Sequence, residues 1–210
     1  LTPLLPDATA PRRPGFDGGT LEPAVRPAAF VWEDRMTSAY TFPGQGSQAV
    51  GMGKSLADNF PQARDVFAEV DEALGQKLSR LMWEGPADDL TLTANTQPAL
   101  MAVSLAAIRV LEAEAGLDLA REAAFVAGHS LGEYAALAAA RSFTLADTAR
   151  LLRIRGDAMQ KAVPVGQGAM AALLGLDFAD ADAVAREAAQ GEVCEAANDN
   201  GPGQVVISGH

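Results

Sequence analysis

With 210 residues, 49% of them hydrophobic, and a mean hydropathy of +0.06, the chain holds enough apolar material for a substantial core and lacks the composition of a disordered polymer. A formal charge of −11 argues against binding to a nucleic-acid backbone, which needs clustered Lys and Arg, so an acidic ligand has to be met by local cations. Cys194 is the one cysteine and there are two histidines, which leaves no internal disulfide and no tetrahedral zinc site without carboxylates; with no apolar run of bilayer length and no basic-then-apolar leader, the expectation is a soluble cytoplasmic protein without membrane or metal.

Residues 1–35 carry six of the 12 prolines and no sustained periodicity, and read as a disordered lead-in, with Met36 expected to be the natural start. A strand over residues 38–42 follows, then the loop Pro43-Gly44-Gln45-Gly46-Ser47-Gln48. Helical patterns are predicted at 60–74 and 78–83, and a longer one at 97–115, with Pro98 in its first turn and Gly116 ending it. An apolar strand at 123–127 leads through Gly128-His129-Ser130-Leu131-Gly132 into a helix at 131–140, and another helix is predicted at 145–161. Beyond Pro164 come a strand at 168–174, a helix at 179–189 and strands at 193–196 and 204–208, a smaller βαβ-type unit; Asn198 and Asn200 fall in a loop with two readings, approach to the turn at 128–132 or, the one preferred here, turn formation. Such an α/β layer normally needs further strands to cover both faces, so the chain reads as unfinished at His210.

Strand, sharp turn, helix is the setting in which a serine is held strained with its hydroxyl exposed, while flanking glycines let strand and helix close without Cβ clashes. The hydroxyl also sits at a helix N-terminus, where free N–H groups favour developing negative charge. Ser130 is the candidate nucleophile; the alternative is a serine that merely caps the helix. The backbone N–H of Leu131, directly after it, and that of Gln45, between two glycines, are candidate donors to an oxyanion. The same loop also matches G-x-G-x-x-A as Gly44, Gly46 and Ala49, a dinucleotide-type fingerprint, but the acidic residues at the expected distance, Asp65 and Glu69, fall within a helical pattern instead of at a strand end.

On the helix at 145–161, Leu145, Thr148, Leu152, Arg155 and Met159 recur at alternating spacings of three and four and share a face. Arg155 is therefore directed inward, and its planar fork suits either a substrate carboxylate or an internal Asp or Glu. Arg150, Arg153, Asp157 and Lys161 fall on the other side as solvated charges. Neither histidine is a convincing base: His129 adjoins Ser130 and is expected to point away from its hydroxyl, and His210 follows an apolar strand at the last position.

The blocks Phe42-Pro43-Gly44-Gln45-Gly46-Ser47-Gln48, Gly51-Met52-Gly53, Thr96-Gln97-Pro98-Ala99-Leu100, Gly128-His129-Ser130-Leu131-Gly132-Glu133-Tyr134, Arg155-Gly156, Met159-Gln160, Gly168-Ala169-Met170-Ala171-Ala172 and Pro202-Gly203-Gln204-Val205-Val206-Ile207-Ser208-Gly209-His210 resemble, in this order, the malonyl-CoA:acyl carrier protein transacylases of fatty-acid synthesis and the acyltransferase domains of polyketide synthases. The resemblance runs from Met36 to the end. It implies an α/β fold with an α/β-hydrolase-like large subdomain, here residues 36–163, and an inserted ferredoxin-like small one, of which 164–210 would be the beginning. It further implies that Ser130 carries a malonyl ester between malonyl-CoA and the phosphopantetheine thiol of acyl carrier protein, without a cofactor, that the Gln45 and Leu131 amides form the oxyanion hole, and that Arg155 holds the malonyl carboxylate. Leu131 resembles the residue of malonyl-type members, where methylmalonyl-type domains have glutamine. The family's catalytic histidine lies further downstream, so the 210-residue product alone is expected to be poorly folded or inactive. A serine esterase with the same elbow and water as acceptor, and a truncated pseudoenzyme, are the competing readings.

Overall fold

A computed structural model describes residues 38–164 and 166–210; the expected lead-in over 1–35 and the Met36 start lie outside the described residues. The fold is α/β, largely helical with two small sheets. Strand β1 (Ser38–Phe42) pairs in parallel with β2 (Ala123–Gly128), Phe42 standing opposite Gly128. Parallel neighbours need a crossover, and here it is a long helical segment: α1 (Lys54–Asn59), α2 (Pro61–Leu74), α3 (Leu78–Glu84), α4 (Ala87–Thr91), α5 (Thr93–Ala115) and α6 (Leu119–Glu122). Helices α7 (Leu131–Ala139) and α8 (Leu145–Ala162) follow β2.

Helix α5 is the axis of the larger unit, packed by α2, α7 and α8 around buried Phe67, Met101, Leu105, Leu131 and Leu152. It begins four residues earlier than its sequence predicts, so Pro98 lies inside the helix and not in the first turn. Thr93, Asn95 and Thr96 are poor helix formers; tertiary bonds hold them, the Thr96 hydroxyl donating to the Leu90 carbonyl at 2.6 Å and the Asn95 amide to the Asp89 carbonyl at 2.8 Å. Against this first turn α8 lays Gly156, where a Cβ would stand 2.6 Å from Ala94 Cα. That close approach fixes where the neighbouring Arg155 can reach.

In the smaller unit, β3 (Ala169–Leu174), α9 (Phe178–Ala189), β4 (Cys194–Gly201) and β5 (Gln204–Gly209) form a sheet of order β3-β5-β4. Both β3 and β4 run antiparallel to β5, so they are parallel to each other, joined by α9, with β5 inserted between them. Ala181 and Ala185 of α9 are buried, as is Val205 on the central strand. Strand β4 continues past the predicted end at 196 to Gly201 and takes in Asn198 and Asn200, which read as turn residues in the sequence. Irregularities in the register at Ala196/Asn198 and Asp199/Gly201 let this polar stretch stay paired with Val206 and Val205.

Candidate functional site

The turn from β2 to α7 is built by glycines on either side of Ser130. A Cβ on Gly128 would lie 1.9 Å from the carbonyl carbon of Gly132, and one on Gly132 would lie 2.3 Å from the Phe42 carbonyl oxygen. Strand and helix are therefore in backbone contact. Ser130 between them has φ 54 and ψ −115, a conformation L-residues rarely adopt and one that costs about 1–3 kcal/mol. The Gly132 N–H turns back to the His129 carbonyl at 2.9 Å and the Glu133 N–H to the Ser130 carbonyl at 3.1 Å. Although Ser130 stands at the N-cap position of α7, its side chain makes no capping bond.

Its hydroxyl instead accepts a hydrogen bond from Arg155 Nη2 at 3.0 Å. Arg155 comes from the buried face of α8, a helix started by Thr144, whose hydroxyl accepts from the Asp147 N–H at 3.1 Å. The other fork nitrogen, Nη1, donates to Gln97 Oε1 at 2.5 Å, and the guanidinium carbon lies 6.0 Å from the centroid of the Tyr134 ring. Among the described residues no carboxylate pairs with Arg155. Its partners are neutral.

The network continues. Gln97, 1% exposed, donates through Nε2 to the Thr93 hydroxyl at 3.0 Å and to Met159 Sδ at 3.3 Å, and Thr93 donates to Gln45 Oε1 at 2.9 Å. The Gln45 loop lies against the elbow because Gly44 has no side chain: a Cβ there would be 2.3 Å from His129 Nδ1. Among the described residues, neither the Gln45 nor the Leu131 backbone N–H meets a protein acceptor. Ser130, Arg155, Gln45 and Leu131, singled out separately in the sequence, thus belong to one neighbourhood.

Two residues of this neighbourhood escape the sequence reading. Gln97 and Thr93 are polar positions at the start of an otherwise apolar helix, and a glutamine just ahead of buried Pro98, Ala99 and Leu100 is the signal that marks them. Asn200, for which the sequence preferred turn formation over approach to the site, does reach it: its Oδ1 lies 3.1 Å from His129 Nε2, which ties the small sheet to the nucleophile turn. His210 is held at the sheet end, its N–H donating to the Val193 carbonyl at 3.0 Å. One sequence expectation is corrected: Arg153 is not a solvated charge but donates to Asn95 Oδ1 at 2.9 Å and to Gln76 Oε1 at 2.5 Å, and burial lowers its pKa below the usual arginine value. Asn95 lies in α5 and Gln76 just past α2, so Arg153 is drawn against the helices that pack on α8. Arg150 does behave as expected, in an exposed pair with Asp147. Among the described residues there is no cluster of three or more His, Cys, Asp or Glu suited to a metal, and no helix long and apolar enough to cross a membrane.

An α/β protein that displays a strained serine on a strand-to-helix turn, beside an arginine with no acidic partner, has the parts of an acyl-group handling site. The chain belongs to the acyl transferase domain family, which matches residues 39–210. The malonyl CoA-acyl carrier protein transacylase of Escherichia coli is 49% identical over 172 residues, covering 82% of this chain and 54% of the relative. Among solved structures, an acyl-carrier-protein-S-malonyltransferase from Bartonella henselae is 63% identical with a TM-score of 0.78, over 83% of this chain and 55% of that one. A malonyl-transacylase solved in complex with a type II PKS acyl-carrier protein is 45% identical with a TM-score of 0.73, over 81% of this chain and 54% of its own. The chain therefore spans about half the length of the relatives it matches.

Proposed function

We propose that the protein transfers a malonyl group from malonyl-CoA to the phosphopantetheine thiol of acyl carrier protein, in fatty-acid synthesis, by way of an ester on Ser130. The observation that carries this reading is the Arg155 guanidinium 3.0 Å from the Ser130 hydroxyl with no acidic partner among the described residues. A cation so placed meets the far carboxylate of a short diacid whose thioester carbon sits at the serine. The names of the relatives support the same substrate and acceptor.

In the first half-reaction Ser130 Oγ adds to the thioester carbonyl, the Oγ–C bond forms, and the C–S bond breaks to release the CoA thiol. The developing oxyanion is met by the Gln45 and Leu131 N–H groups, both without a protein acceptor among the described residues. The thiol of acyl carrier protein then attacks the ester and returns the proton to Ser130. His129 Nε2 lies against Asn200 Oδ1, and His210 sits at the end of the small sheet with its Nδ1 accepting from the Val193 N–H at 3.4 Å, so the proton acceptor in this reading is the histidine that the family resemblance assigns to the part of the relatives not spanned here. In the same reading residues 36–163 belong to an α/β-hydrolase-like subdomain, and the split β3-α9-β4 unit with β5 at its centre belongs to a ferredoxin-like one. A hydrolase of neutral esters has no use for a guanidinium at the nucleophile.

Incubation of the full-length protein with labelled malonyl-CoA, followed by digestion and peptide mapping, tests the reading. Label is expected on the peptide holding Ser130, and none in Ser130→Ala. Label on another residue, or unchanged labelling of the variant, would refute it.

A further inference from the structure

We infer that Gln97 is the positioning residue for Arg155: a buried neutral amide that aims the guanidinium at Ser130 without neutralising it, leaving the positive charge for the carboxylate of the incoming acyl group. The inference rests on the reading of Arg155 just given and extends it to a residue that touches neither substrate nor nucleophile.

The orientation of the Gln97 amide is fixed by its surroundings. Gln97 is 1% exposed and each of its polar atoms has a partner. Thr93 gives its hydroxyl proton to Gln45 Oε1, so towards Gln97 it offers only lone pairs, and these take the Nε2 proton. The Oε1 atom must then face Arg155. A flipped amide would set N–H against N–H on the guanidinium side and leave buried donors unpaired. One end of the Arg155 fork is thereby pinned, and the other is free to lie over Ser130.

The choice of an amide over a carboxylate carries the consequence. Glutamate at this position would accept the same hydrogen bond from Arg155 with greater strength, although its second oxygen would lose the donations that Nε2 makes to Thr93 and Met159. It would also bring a full negative charge into contact with Arg155 in a buried site, where charge is weakly screened. The substrate carboxylate would then meet an already neutralised pair. An uncharged acetyl group, lacking that carboxylate, would lose far less.

The test is steady-state transfer by the full-length protein with malonyl-CoA and acetyl-CoA, comparing Gln97→Glu, Gln97→Met and Thr93→Val, with Arg155→Ala as reference. For Gln97→Glu the malonyl-over-acetyl preference is expected to fall about tenfold or more, carried by KM for malonyl-CoA, and the ratio of the two substrates in one protein cancels the loss of stability that follows from losing the Nε2 donations. Gln97→Met, which removes the acceptor without adding charge, is expected to lower the same ratio by about tenfold, and Thr93→Val, nearly isosteric, to lower it less. A Gln97→Glu protein that keeps its preference while Arg155→Ala loses it would overturn this inference alone. If Arg155→Ala also keeps the preference, the reading of Arg155 falls and takes this one with it.

Discussion

Replacing Gly128 by alanine tests whether backbone contact between β2 and α7 sets the nucleophile turn. Gly128 does not have a positive φ, so alanine meets no conformational penalty there. The whole effect is steric: the new methyl would sit 1.9 Å from the Gly132 carbonyl carbon, 2.0 Å from its oxygen and 2.2 Å from the Glu133 nitrogen, whereas ordinary contact begins at 3.4 Å. Helix α7 would have to retreat by more than an ångström, against Leu131 and Ala135 that are 1% exposed in the core. Overpacking of this kind costs typically 1–3 kcal/mol, and because the obstacle is backbone the expected loss is about 3 kcal/mol, a fall in Tm of roughly 6–12 °C. Gly116→Ala is the matched control, with φ 69 and nothing within 4 Å of the added methyl; left-handed strain alone is expected to cost it about 1 kcal/mol. Thermal unfolding followed by circular dichroism gives the stabilities, and the rate of labelling by a fluorophosphonate gives the reactivity of Ser130. Gly128→Ala is expected to unfold well below Gly116→Ala and to label slowly. Equal stabilities, or a Gly128→Ala protein that labels at the unsubstituted rate, would refute the argument.

Arg153→Met leaves Gln76 Oε1 and Asn95 Oδ1 without their shared donor and is expected to cost about 1–3 kcal/mol in urea unfolding, without altering the malonyl-over-acetyl ratio. Asn200→Ala removes the link between β4 and His129, and amide exchange in β4 and β5 is expected to speed up by between about twofold and tenfold while α5 keeps its protection. Gly156→Ala would press a methyl to 2.6 Å from Ala94 Cα, and by displacing α8 it is expected to reduce transfer of malonyl more than the Ser130 labelling rate.

What was legible in the sequence was what short-range sterics decide. The strand-to-helix turn is marked by Gly128 and Gly132 because no other residue fits between these backbones, and Arg155 is marked by its place on an apolar helix face. Partners far apart in sequence were not legible: Arg155 meets Gln97 across 58 residues and Arg153 meets Gln76 across 77. Helical spacing gives the direction of Arg153 but not that another helix stands in its way. The start of α5 was missed for a related reason, since Thr93, Asn95 and Thr96 have weak helix propensity and are held by contacts with α4 and α8. Asn198 and Asn200 belong to a strand only because irregular pairing with β5 absorbs them.

The most direct measurement of the central claim is the ratio of kcat/KM for malonyl-CoA to that for acetyl-CoA, in the full-length protein and in Arg155→Ala. Loss of one member of a buried charge pair costs about 2–5 kcal/mol, so the ratio is expected to fall by at least about thirtyfold, through loss of the malonyl reaction. A ratio that survives the substitution would contradict the assignment of Arg155 as the group that grips the acyl carboxylate beside Ser130.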